Sequence, residues 1–175
     1  GVTFGATLLL PMEFAIYLGV LLSLVLYLRR TSKPKITALA RSHLAKQLVP
    51  AQRSNLPECE ALKIIRIDGS IFFGAVDYVQ SALMVIPQKH VLIVASGINF
   101  MDLAGTALLA NEAKRLNALG GGLYLCNTNG SVIKPIIRNG HLSAIGKRHF
   151  FATKALALSG IDDILHGHTC AGCTP

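Results

Sequence analysis

Residues 91–116 read VLIVASGINFMDLAGTALLANEAKRL. The apolar run that opens this stretch, from His90 to Ala95, has the length of a strand and carries no alternation, the pattern of a central strand covered on both faces. Asp102 then stands just before a helical spacing over 103–119, where its carboxylate can accept from the free N–H groups of a first helical turn. Glu112 and Arg115 fall at i, i+3 on that helix, and Gly120 closes it. A buried strand, a short loop and a capped helix in succession form half of an α/β unit.

The same texture continues on both sides. Upstream, residues 62–67 (LKIIRI) read as a β-branched strand, Asp68-Gly69 as a turn, and residues 70–73 (SIFF) as a hairpin partner, followed by helical spacing over 75–86. Downstream, residues 122–126 (GLYLC) give the next buried strand and 131–139 a short helix. Phe150-Phe151 then forms an edge strand, and 153–165 a last helix. The expected architecture is a mixed sheet flanked by helices, without an internal repeat.

The front of the chain is different. Half of the 175 residues are apolar and only 15% are charged, below the roughly 25% usual for soluble domains. The surplus lies in residues 6–28, ATLLLPMEFAIYLGVLLSLVLYL, where Glu13 is the only charge. Pro11 suits the first turn of a helix, which predicts the end of one membrane helix over 1–10 and a transmembrane helix over 11–29. Glu13 then sits in the first turn, favoured by the helix dipole.

The net charge of +8 divides as −1 over residues 1–28, +7 over 29–57 and +2 over 58–175. A signal peptide would carry its basic residues before the apolar run; here Arg29, Arg30, Lys33, Lys35, Arg41, Lys46 and Arg53 follow it. The one-sided flank places the residues after 30 in the cytoplasm, beside anionic lipids that attract the 29–53 segment. The basicity thus belongs to a membrane and not to nucleic acid. Residues 31–57 hold three prolines and no sustained apolar stripe, so they read as a basic linker. Four cysteines, Cys59, Cys126, Cys170 and Cys173, are expected as reduced thiols in that compartment.

The stretch IRIDGSIFFGAVDYV (65–79) with residues 91–116 resembles the STAS domain found at the C-terminus of SulP anion transporters. LPMEFAIYLGVLLSLVLYLRRTSKP (10–34) is similar to the last membrane helix of those transporters and its exit. The resemblance implies a STAS-type mixed sheet over 58–165 and a membrane domain of which residues 1–30 are the end; residues 166–175, beyond it, read as a mobile tail. It further implies a regulatory region of a secondary transporter for sulfate, bicarbonate or related anions, acting by protein contact. The implied partners are the rest of the membrane domain, a second subunit in a homodimer, and a cytosolic protein.

Two other readings stand beside it: a soluble partner-switching protein of the anti-sigma-factor-antagonist kind, and a nucleotide-sensing STAS module. In the soluble antagonists a loop reading Asp-Ser-Ser-Gly carries a phosphorylated serine. The matching positions are Asp102, Leu103, Ala104 and Gly105, so no hydroxyl stands at the acceptor position. Thr106 would point about 200° from Ala104 on a helix and does not replace it. No phosphorylation site is therefore expected. Asn99, Phe100, Met101, Asp102, Ala104, Gly105 and Thr106 are the candidate partner-contact loop, although Phe100 and Met101 serve equally as core on pattern alone.

Other motifs carry less. Gly120-Gly121-Gly122 follows a helix and opens a strand, the reverse of a phosphate loop. His166, His168, Cys170 and Cys173 are ligand types suited to zinc but lack a second element to orient them, so no metal or other cofactor is expected. No nucleophile elbow or matched acid–base pair marks an enzyme.

Overall fold

The computed structural model describes residues 12–31, 33–42, 47–50 and 59–165. The chain divides into two compact units, Gly1–Lys33 and Pro34–Pro175. In the first, helix α1 runs over Met12–Thr31 with Glu13 in its first turn. The uncharged stretch between Glu13 and Arg29 holds 15 residues, a rise of about 22 Å against a hydrocarbon core of about 30 Å. Among the described residues, no helix is long and apolar enough to cross a membrane. The expected helix over 1–10 lies outside the described residues.

The second unit is built on a sheet in the order β2-β1-β3-β4-β6-β7, with β5 pairing β3 off that path. Its strands are β1 (Lys35–Ser42), β2 (Gln47–Pro50), β3 (Leu62–Ile71), β4 (His90–Val94), β5 (Ile98–Met101), β6 (Gly122–Cys126) and β7 (Phe150–Phe151). Strands β3, β4, β6 and β7 run parallel, while β1 is antiparallel to both β2 and β3. The helices are α2 (Phe73–Met84), α3 (Leu103–Ala118), α4 (Gly130–Arg138), α5 (Leu142–Ile145) and α6 (Lys154–Ile164).

Alternation along the central strands sorts the core into two layers. Val91, Ile93, Leu123 and Leu125 face α2, α3 and α4 through Val79, Leu83, Leu109, Leu116, Val132 and Ile136. Leu92, Val94, Tyr124 and Cys126 face the other way, onto Ala157 and Ile161 of α6. Strands β4 and β6 are thus covered on both faces, as their unbroken apolar runs require.

Three expectations are corrected. Residues 62–71 form one continuous strand and no hairpin: Gly69, at φ +128°, takes the irregularity where β3 changes neighbours, its register with β5 shifting between Gly69 and Ser70. The expected linker carries β1 and β2, with Ile36 opposite Ile67 on the edge of the sheet; residues 43–46 and 51–58 lie outside the described residues. Cys59 is disulfide-bonded and not a reduced thiol, whereas Cys126 is a free, buried one.

Candidate functional site

The loop between β5 and α3 is held by Asp102. Its backbone is extended, and its Oδ1 accepts from the Gly105 N–H at 2.9 Å, the cap read from the sequence. Its Oδ2 accepts from the Phe73 N–H at 3.0 Å, at the start of α2. One carboxylate therefore caps two helices that meet above the end of β3. The Asp102 N–H donates back to the Ile71 carbonyl at 3.3 Å. The second role was missed, yet the sequence held a signal: α2 opens at Phe72-Phe73-Gly74 with no side chain of its own to accept from its first turn.

Gly105 is where α3 comes down on β3. A Cβ there would collide with the Ile71 carbonyl oxygen, so the helix seats only on glycine. Thr106 is fully buried. Its hydroxyl donates to the Leu103 carbonyl at 2.9 Å and accepts from Asn139 Nδ2 at 3.0 Å. Met101 is core. Of the candidate loop, Met101, Gly105 and Thr106 therefore hold the loop from beneath and present nothing to a partner.

What the loop does present is apolar. Phe100 is 54% exposed, Leu103 63% and, beside them across the Asp102 cap, Phe73 82%; Asn99 is exposed with them. Half-buried Ala104 lines a groove of about 660 Å3 between α2 and α3, with Phe73, Val76, Met84 and Leu108 as its apolar walls. Asp77, Gln80 and Asn111 line it too, as does Glu112, whose buried carboxylate receives Arg115 Nε at 2.9 Å and Nη2 at 2.7 Å. A charge-assisted fork of this kind satisfies a buried carboxylate.

A further cluster and a buried thiol lie elsewhere. His90 Nδ1 and the Tyr124 hydroxyl share a hydrogen bond of 3.1 Å, and the His149 ring tilts against Tyr124 at 4.6 Å between centroids. Burial pushes the Cys126 thiol up to about 11, which leaves it inert as a nucleophile. Among the described residues no group of three His, Cys, Asp or Glu side chains gathers that could hold a metal. The candidates His166, His168, Cys170 and Cys173 lie outside the described residues.

A capped loop and helix seated by glycine on a mixed sheet match a known family in sequence as well as shape: residues 53–157 match the STAS domain. The chain belongs to the STAS domain family. This STAS chain is 27% identical over 154 residues to the putative sulfate transporter YvdB of Bacillus subtilis (strain 168), covering 85% of this chain and 27% of that protein. It is 26% identical over 168 residues to the probable sulfate transporter 4.2 of Arabidopsis thaliana, covering 86% and 24% respectively. The chain thus spans about a quarter of the length of these curated relatives. Among solved structures, the murine Slc26a9 anion transporter in its inward-facing state superposes with a TM-score of 0.76 over 90% of this chain and 27% of that one, at 19% identity. At that identity the likeness concerns the fold.

Proposed function

We propose that this STAS chain is the C-terminal regulatory region of a SulP-type secondary anion transporter, joined through α1 to a membrane domain and acting through protein contact. The observation that carries the reading is the state of α1. Twelve large apolar side chains between Phe14 and Leu28 are exposed around its whole girth, and a helix apolar all round is one that lipid or neighbouring membrane helices cover. The uncharged stretch is short for a crossing by itself. The apolar sequence continues upstream to Ala6, and arginines at positions 29 and 30 suit a cytoplasmic boundary where long basic side chains reach the headgroups. Residues 58–165 then lie on the cytoplasmic side, where the Cys59 disulfide is the feature that runs against the reading, and dimerisation through the transporter follows from it. The curated relatives are described as sulfate transporters, which makes sulfate or a related anion the proposed cargo.

The regulatory contact belongs to the exposed part of the loop: Asn99, Phe100, Leu103, Ala104 and Phe73 of α2. The partner is the membrane domain, a second subunit or a cytosolic protein. With Ala104 at the acceptor position and the Thr106 hydroxyl buried, the contact is not switched by phosphate there, which disfavours the soluble partner-switching reading. Ala104→Glu places an unpaired charge in the groove, and sulfate uptake by the full-length transporter is expected to change while circular dichroism of the chain does not. Unchanged uptake would remove the loop from regulation. Alkaline carbonate extraction tests α1, since the chain should stay with the membrane pellet; release into the supernatant would refute the membrane attachment.

A further inference from the structure

On the sheet face that α6 covers, toward β1 and β3, the described residues form a recess of about 470 Å3 lined by Lys35, Thr37, Arg66, Asp68 and Lys154 above Leu39. The strand register builds it: Lys35 stands opposite Asp68 and Thr37 opposite Arg66, so four polar side chains share one face at two alternate rungs. Lys154 approaches from the first turn of α6.

The charges in this recess do not balance. Asp68 is engaged by Arg66, whose Nε donates to Oδ1 at 2.8 Å and to Oδ2 at 3.0 Å. That geometry orients the guanidinium but uses only Nε, leaving both Nη groups without a protein acceptor among the described residues. Lys35 and Lys154 have no carboxylate partner there either. Three cations less one carboxylate leave a charge of +2 around one recess. The Lys154 charge is felt as far as the Cys126 thiol, where it opposes the upward push of burial.

We propose that this recess binds a divalent oxyanion of the sulfate or phosphate-monoester class, free in solution or carried as a lipid headgroup. The free edge of Arg66 offers a planar pair of donors that matches two oxygens of a tetrahedral anion. The two lysines add point charges, and the Thr37 hydroxyl adds a donor. A dianion neutralises the +2, whereas chloride leaves half of it and cannot use the fork. This assignment does not depend on the transporter reading, because every residue in it belongs to the unit that begins at Pro34.

The test is calorimetric titration of the full 175-residue chain in detergent with sodium sulfate and sodium phosphate, at ionic strength held constant with sodium chloride. A second arm measures binding to phosphatidylcholine vesicles with and without phosphatidic acid, whose headgroup is a phosphate monoester. Saturable binding in the first arm identifies a free anion, and binding that requires phosphatidic acid identifies the lipid. In either arm Arg66→Gln and Lys154→Gln should weaken binding by about tenfold or more, the loss of a charge-assisted contact. The exposed Lys35→Gln provides the same reading should Arg66→Gln fail to fold. Lys134→Gln, exposed on α4, should change nothing. No saturable binding in either arm, or an equal loss in Lys134→Gln, would overturn the site.

Discussion

Replacing Asp102 by alanine removes acceptors from two helix starts at once, because its two oxygens serve N–H groups 3 and 29 residues away in sequence. A single cap is worth about 1 kcal/mol, and a bond to a charged acceptor somewhat more. The loss in Asp102→Ala should therefore be about 2 kcal/mol by chemical denaturation. Asp102→Asn is the informative companion. Its one carbonyl oxygen can still receive Gly105, but its amide turns donor toward donor at Phe73, so its stability should fall between wild type and alanine. An asparagine variant as stable as wild type would show that the α2 cap contributes nothing.

At the scale of elements, Gly105→Ala asks α3 to move off β3, since the new methyl meets the Ile71 carbonyl. Helix propensity favours the change by up to about 1 kcal/mol, but overpacking against backbone costs about 1–3 kcal/mol. Net destabilisation is expected in thermal melts, and a more stable variant would mean that the helix shifts freely. The Asp102–Gly105 pair was legible in sequence because capping is local chemistry, as was each strand whose run is apolar throughout, β6 to the residue. Residues 68–73 were misread because an Asp-Gly pair serves a tight turn and a strand irregularity equally well. Only the neighbours that pair there, β1 and β5, decide between them. Strands β1 and β2 were hidden for the opposite reason. They lie at the edge of the sheet, where lysine and proline are tolerated, so KITALARS has the composition of a linker while pairing with the core.

The elements β4, β6 and the turn over Lys147–His149 also meet around Tyr124, with His90 at their contact. Burial foremost, then the charge of His149, then that of Lys89, lowers the His90 pKa below its ordinary 6.5. The folded state thus holds this proton less tightly than the unfolded chain, and its stability is kept above about pH 6.5 and lost as pH falls through that value. The melting temperature should drop between about pH 7.5 and about pH 5.5, and the drop should be shallower in His90→Gln. An identical slope in the variant would move the pH dependence to other groups.

Over the whole molecule, the two units differ in how each resolves its apolar surface. Every residue of the two cores lies between Ile36 and Leu165, none in α1, and the sheet closes its own layers with α2, α3 and α4 on one face and α6 on the other. Among the described residues, helix α1 contributes to neither core and leaves its leucines and valines exposed. Residues 34–175 expressed without the first unit should therefore fold in water and melt cooperatively, with a near-ultraviolet circular dichroism signal from packed Tyr124, because a domain of this size carries its own core. The full chain, by contrast, should need detergent to remain monodisperse. A second unit that binds a hydrophobic dye strongly, melts without cooperativity or is soluble only in detergent would show that it does not fold without the first, and that the boundary near Pro34 is not one of folding.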